Sequence, residues 1–253
     1  MPNWVRNVVK AKGIHNLPVF TKDEETGKDN FDFGTIVPRP EGLDVQAGSC
    51  EETSIMYYLT ERCTVPLDCL SDEKKEIISK LIKNSLVVGK DWKQEIFQRA
   101  MTQTFKKSEE EKNGIYQLGR TYVENYRMCG YTTWYEWNIA NWGTKWNAYE
   151  TEKKDEDTIS FDTAWSMPEP VMLKLSEMFP EIEFEHWYAD EDAGSNTGYV
   201  TYKAGEITGG CAYDSCSNEA YETYIYCWGE SECFEKDKDG NWHPKRCEDC
   251  NGC

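Results

Sequence analysis

Residues 158–203 switch twice between a two-residue and a helical period, and this pattern constrains the fold more than any other feature of the chain. Ile159, Phe161, Thr163 and Trp165 alternate with Thr158, Ser160, Asp162 and Ala164, which describes a strand with one apolar face. Ser166-Met167-Pro168-Glu169 follows with a capping-box spacing and a proline in the first turn. Val171, Met172, Leu175, Met178 and Phe179 then recur at helical steps until Pro180 stops them. From Glu181 to Tyr188 the period returns to two, with Ile182, Phe184, His186 and Tyr188 on one side. Gly198 to Lys203 adds a strand across a Gly-containing loop. Strand, helix, strand, strand, with an earlier strand pair nearer the start, predicts an α+β fold: a ferredoxin-like antiparallel sheet with helices on one face.

The earlier part divides differently. Asn3 to Gly13 reads as a strand leading to a polar turn, and Pro38 and Pro40 force an extended path. Three apolar stripes at helical spacing follow. Ile77, Ile78, Leu81, Ile82 and Leu86 lie between a capping Ser71 and Gly89; the second set is Trp92, Ile96, Phe97, Ala100, Met101 and Phe105. The third, Ile115, Leu118, Tyr122, Val123, Tyr126 and Cys129, comes after a charged turn at 108–114. They predict a helical insertion at about 71–130 within a domain spanning 1–205. Tyr221 to Trp228 reads as one more strand, in a Cys-rich acidic extension, 206–253, made of a hairpin and a mobile tail.

Charge narrows the partners. The chain has 46 acids against 28 Lys and Arg, a formal charge of −18, which repels duplex DNA and anionic membranes alike. Of this excess, 10 charges fall in residues 185–253, with 15 acids against 5 bases. The 34 aromatic residues (10 Trp, 15 Tyr, 9 Phe) make an aromatic core affordable. No stretch approaches about eighteen consecutive apolar residues, and the opening residues lack the apolar run of a signal peptide, so the expectation is a soluble, cytoplasmic protein.

Several stretches resemble the YubB-like ferredoxin-fold proteins of phages and conjugative plasmids. They are the opening Met1-Pro2-Asn3-Trp4 with Asn7 and Gly13, the run Asn141-Trp142-Gly143-Thr144-Lys145-Trp146-Asn147-Ala148, the run Phe161-Asp162-Thr163-Ala164-Trp165-Ser166 with Pro168 and Pro170, and Tyr188-Ala189-Asp190-Glu191-Asp192. The resemblance implies a ferredoxin-like core and a mobile-element origin, and no catalytic residues. The acidic, Cys-rich end departs from it.

Three groups of residues carry candidate chemistry. Trp142, Lys145 and Trp146 form a recognition surface, or the two Trp are core and Lys145 is an ion-pair partner. Asp190, Glu191 and Asp192 either bind Mg²⁺ or Ca²⁺, as a metal-dependent enzyme would require, or form a solvated turn. Cys247, Cys250 and Cys253, with Cys233 and His243 in reach, form a zinc site or are free thiols. Eleven cysteines cannot all pair within one chain, and a cytoplasmic chain keeps its thiols reduced. His186 reads as a packed, hydrogen-bonded residue.

The nucleotide-loop, hydrolase-elbow and zinc-protease signatures are absent from the sequence, so the reading leans away from an enzyme. The leading expectation is an interaction protein of a phage or mobile element. It would act against a host defence complex, as an anti-CRISPR protein does, by presenting carboxylates in place of DNA phosphates to a basic surface. The alternatives are a ferredoxin-like module that binds single-stranded nucleic acid, and a metal-dependent enzyme using the acidic loop.

Overall fold

The computed structural model describes residues 3–22, 27–82, 91–230 and 234–245. The chain separates into two compact units, one of residues 1–38 and 138–253 and the other of residues 39–137.

The first unit is built on a six-stranded sheet in the order β4-β5-β1-β6-β7-β8. Its strands are β1 (Trp4–Lys10), β4 (Tyr149–Asp155), β5 (Thr158–Ala164), β6 (Phe184–Asp190), β7 (Gly198–Lys203) and β8 (Glu206–Ala212). Every neighbouring pair is antiparallel. β5 and β6 both run against β1, hence parallel to each other, and α7 (Glu169–Met178) joins them. This split βαβ arrangement is the ferredoxin-like signature, as expected from the alternating periods. Short pairs β2 (Phe20–Lys22) with β3 (Asp29–Phe31), and β9 (Phe234–Lys236) with β10 (Trp242–Pro244), stand apart from the main sheet.

One face of the sheet carries Val5, Val9, Ile159, Phe161, Phe184 and His186, all fully buried. Phe31 and Phe33, the latter opening the short α1 (Phe33–Ile36), pack on Phe161 at 5.0 and 5.9 Å between ring centres. The opposite face carries Val8, Trp187 and Ala189. It is covered by α8 (Asn218–Trp228) through Tyr224, Cys227 and Trp228. Segment 221–228 is therefore helix rather than strand, and helices do not keep to one face. The Ser217 hydroxyl caps α8 by accepting from the Ala220 N–H at 3.1 Å. Ala220, Tyr221, Tyr224, Cys227 and Trp228 recur at helical spacing, and burying that stripe outweighs the strand preference of Tyr, Thr and Ile. All seven residues of β5 are buried, including the polar ones that alternation placed toward solvent.

The expected boundary after residue 205 falls inside the tight β7–β8 hairpin, where Lys203 pairs with Glu206. Residues 206–228 thus complete the sheet and one of its faces. The expected tail beyond residue 245 lies outside the described residues.

The second unit is helical: α2 (Glu51–Leu59), α3 (Asp72–Leu81), α4 (Trp92–Phe105) and α5 (Glu109–Cys129), followed by α6 (Trp134–Trp142), which leads back to the sheet unit. It begins at residue 39, well before the expected 71, because α2 supplies Ile55, Met56 and Leu59 to the core formed with Ile77, Ile78, Ile96, Phe97 and Tyr122. The expected charged turn at 108–114 is instead the first turns of α5. Ser108 and Glu111 form a reciprocal capping box at 3.2 and 2.8 Å, and Glu109, Glu110 and Glu111 face the positive end of the helix dipole. Gly119 sits where α5 crosses α2, and a Cβ there would lie 2.0 Å from the Ser54 carbonyl oxygen. Among the described residues no helix is long and apolar enough to cross a membrane.

Candidate functional site

Segment 141–148 forms the centre of the site, and hydrogen bonds fix its path. Gly143 adopts a left-handed conformation (φ 79°), its carbonyl accepts from the Ser166 hydroxyl at 2.5 Å, and the Thr144 hydroxyl donates to the Ala164 carbonyl at 2.8 Å. Asn147 accepts from the Phe33 N–H at 2.8 Å and donates to Asp32 at 2.7 Å.

The structure separates the two tryptophans of this segment. Trp142 is core: it is 4% exposed, donates to the Val37 carbonyl at 2.9 Å and meets Phe33 edge-on. Trp146 is half-buried and joins an outward cluster. Trp4 lies 5.8 Å from Trp146 and stacks on Tyr149 at 5.4 Å, with the planes 21° apart. The Lys145 ammonium sits 4.6 Å from the Trp146 ring centre and 5.0 Å from that of Trp165. Both are within cation–π range.

Trp165 did not stand out in the sequence. Alternation placed it beside Ile159, Phe161 and Thr163, but β5 ends at Ala164 and Trp165 takes φ 73°, a region bulky side chains rarely adopt. Its N–H donates to the Asn3 carbonyl at 2.9 Å and its carbonyl accepts from Asn196 at 3.1 Å, so bonds on both sides hold the strained turn. The indole is left 42% exposed.

A buried polar chain supports the loop from inside the sheet. Asn7 donates to the Val5 carbonyl at 2.9 Å and to the Thr163 hydroxyl at 2.8 Å, which fixes its amide with the oxygen toward His186 Nε2 at 2.9 Å. His186 therefore carries its proton on Nε2, and among the described residues its buried Nδ1 has no hydrogen-bond partner. Burial pushes its pKa down to about 3, so it is neutral. The Thr163 hydroxyl donates in turn to the Ser166 carbonyl at 2.8 Å, and Ser166 reaches Gly143.

The acidic triplet does not converge. Asp190 is 6% exposed and accepts from Asn3 at 3.2 Å and from the Asp192 N–H at 2.9 Å. Glu191 and Asp192 are exposed, with Asp192 accepting from the Ser195 hydroxyl at 3.3 Å. Among the described residues no three His, Cys, Asp or Glu side chains form a metal-ligand group. His243 is exposed and pairs with Asp237 at 3.0 Å; Cys233, Cys247, Cys250 and Cys253 lie outside the described residues. The seven described cysteines are free thiols.

A cleft of about 740 Å³ in the helical unit was not visible in the sequence. Glu51, Glu52, Lys80, Arg99, Tyr126, Thr132 and Glu136 are among its lining residues. Burial raises the Glu51 carboxyl above the ordinary range, against the opposing hydrogen bond from the Thr132 hydroxyl. A carboxyl of this kind can hold a proton that an exposed glutamate would lose.

Residues 141–232 match the family model for the ferredoxin-like domain in Api92-like protein. This stretch is similar to that domain. It begins at the site loop and ends beyond α8, so α8 falls within the matched domain. Among solved structures, protein api92 from Yersinia pseudotuberculosis aligns over 85% of this chain and 99% of its own, at 12% identity and a TM-score of 0.35. No curated protein matches the chain.

Proposed function

We propose that the chain is an interaction protein rather than a catalyst, and that its sheet unit presents carboxylates to a basic surface on a partner. The observation that carries this reading is the uneven placement of charge. Residues 39–137 hold 16 acids and 14 bases, close to balance, whereas the sheet unit holds 30 acids and 14 bases. A coat serving solubility alone has no reason to avoid one unit. A field confined to one unit steers a cationic partner toward it, and salt weakens that attraction. The partner class that fits is a nucleic-acid-binding complex of a bacterial host, such as a defence complex, blocked by carboxylates standing where phosphates lie. A phage or mobile-element origin accords with such a role.

Affinity capture from bacterial lysate at low and high salt tests the reading. Enrichment of nucleic-acid-binding proteins at low salt and their loss at high salt is the expected result. No enrichment, or enrichment insensitive to salt, overturns it.

One observation favours a second reading, single-strand nucleic-acid binding. Trp165 and Tyr149, 42% and 55% exposed, offer ring faces for bases, with Lys145 beside Trp165 to meet a phosphate. Titration with a labelled oligonucleotide separates the two, since phosphate mimicry predicts no binding.

A further inference from the structure

α4 carries an exposed ring at one end and a cavity at the other. Phe105, its last residue, is 79% exposed, more than any other large apolar side chain among the described residues. At the opposite end Trp92, Gln94 and Phe97 line a cavity of about 670 Å³, together with Leu67, Leu70 and Ile78. Leu70, Ile78 and Phe97 belong to the core of the helical unit, so the cavity reaches apolar side chains.

The ring and the cavity share one stripe. Gln94, Phe97, Met101 and Phe105 recur at three- and four-residue steps, which places them along one side of α4. Met101 is 38% exposed, and Gln94 and Gln98 are exposed without carrying charge. In an antiparallel pair of α4 helices with a two-fold axis between Arg99 and Ala100, Phe105 of one copy stands level with Gln94 of the other, at the cavity. Met101 stands level with Gln98. The same axis brings the second Phe105 to the first cavity, so both rings are covered and the contact closes on itself.

This spacing selects the occupant. An unrelated partner that filled the cavity would leave Phe105 in water, and one that covered Phe105 would leave the cavity open, unless it repeated the spacing of both. A second copy meets that requirement by symmetry.

Charge does not oppose the pairing. The helical unit holds 16 acids and 14 bases. Beside the cavity, Lys75 donates to the Asp68 carbonyl at 3.0 Å and Lys93 to the Ser79 hydroxyl at 2.6 Å, which leaves the carboxylates of Asp68 and Asp91 without a partner among the described residues. Near Phe105, Lys107 pairs with Glu111 and Lys112 with Glu109, which leaves Lys106 and Glu110. Lys106 of each copy thus comes to the end of the other that holds Asp68 and Asp91. Arg99, level with the axis, is held toward Glu52 and Glu95 at 3.8 and 3.9 Å rather than along the stripe.

We propose that the chain forms a two-fold dimer through antiparallel α4 helices, with Phe105 of each copy seated in the cavity beside Gln94 of the other. The contact involves few side chains on each copy and is smaller than a stable interface, so the dimer forms reversibly, at micromolar concentrations or above.

Sedimentation equilibrium of the full chain over a range of concentrations tests this, at a salt concentration that screens the formal charge of −18. The mass should rise from one chain toward two and no further. Phe105→Ala removes the ring, and Gln94→Lys sets a charged side chain beside the cavity. Both positions are exposed, so each variant should keep the parent's melting temperature at low concentration, and each should dissociate about tenfold more readily or worse. An equimolar mixture of the two variants restores one ring and one open cavity in every mixed pair, and should associate more strongly than either variant alone. A single-chain mass at every concentration overturns the inference. A dimer that both variants leave unchanged lies on another surface and overturns it as well. A mixture that associates no better than its components separates Phe105 from the cavity, and masses beyond two chains show an open contact; either result overturns the two-fold arrangement.

Discussion

Arg6 of β1 donates two hydrogen bonds of 2.8 Å to the carboxylate of Asp162 on β5, and its guanidinium carbon lies 4.2 Å from the ring centre of Trp228 on α8. The Asp162 side chain is 7% exposed and that of Arg6 23%. Removing one partner of such a pair leaves a largely buried charge without its counter-ion. Asp162→Asn should therefore destabilise the protein by about 3 kcal/mol, and Arg6→Met in the same background should recover most of the loss. Urea midpoints of the two variants check this; an Asp162→Asn midpoint equal to that of the parent would mean the pair does not tie the sheet together.

His186 gives the protein an acid-sensitive element. Its ordinary pKa is 6.5 and burial lowers it to about 3, so the unfolded chain takes up a proton that the folded one refuses. The associated stability is complete above 6.5 and is lost as pH falls from 6.5 toward 3, at about 1.4 kcal/mol per pH unit. His186→Gln keeps a donor for the Asn7 oxygen and does not titrate. Its urea midpoint should fall less between about pH 6.5 and about pH 4.5 than that of the parent. Parallel curves would assign the acid sensitivity elsewhere.

At Gly143 an added methyl meets the ring of Pro170, with Cβ 2.8 Å from Cδ, in a left-handed conformation that alanine adopts poorly. Gly143→Ala should cost about 2 kcal/mol and should shift the emission of Trp146 and Trp165 as the loop moves. Thermal melts with tryptophan fluorescence report both effects, and an unchanged spectrum would show that the loop does not need glycine.

Gly119→Ala sets two effects against each other. Alanine favours the helix by about 1 kcal/mol over glycine. Its Cβ, however, would lie 2.0 Å from the Ser54 carbonyl oxygen and 2.9 Å from the Tyr58 Cβ, contacts that only separation of α2 and α5 can relieve. Steric overlap against backbone should win, with a net loss of about 2 kcal/mol or more seen in helical circular dichroism on heating.

The elements that were legible in the sequence are those whose information is local. Alternation from Thr158 and the stripes from Ile77 to Cys129 each describe one segment against one face, whereas the capping box expected at Ser166 does not form, because α7 begins after Pro168 with no side-chain cap and the Ser166 hydroxyl donates to the Gly143 carbonyl instead. The central place of β1 was not legible, because its neighbours are 154 residues away at Phe161 and 179 away at His186. α8 was misread because Tyr, Thr and Ile favour strands, while the helical spacing of Tyr221, Tyr224 and Trp228 matters only once a sheet face is there to receive them. In the site, the sequence left Trp142, Lys145 and Trp146 as either a recognition surface or two core tryptophans with an ion-paired lysine. Which tryptophan turns outward was not readable, since it depends on the end of β5 at Ala164 and on the left-handed turn at Trp165. The cluster of Trp4, Trp146, Tyr149 and Trp165 is assembled by the sheet from segments that carry no common motif. Asp190, Glu191 and Asp192 are adjacent in sequence, yet β6 ends at Asp190, whose buried carboxylate is taken by Asn3 and the Asp192 N–H, while Glu191 and Asp192 follow in an exposed turn, so adjacency did not become convergence.

β1 also has a history that its final position conceals. Both strands that flank it are made only after the whole helical unit that follows it. At about 5–20 residues per second, on the order of ten seconds or more pass between synthesis of Asn7 and of its partner Phe161. During that interval all of the helical unit, residues 39–137, is made, while Val5, Val8 and Val9 wait uncovered. A nascent chain halted before Thr158 would hold the middle strand of the sheet with no neighbour on either side, a natural target for chaperones and proteases. One halted after Asp190 would already hold both.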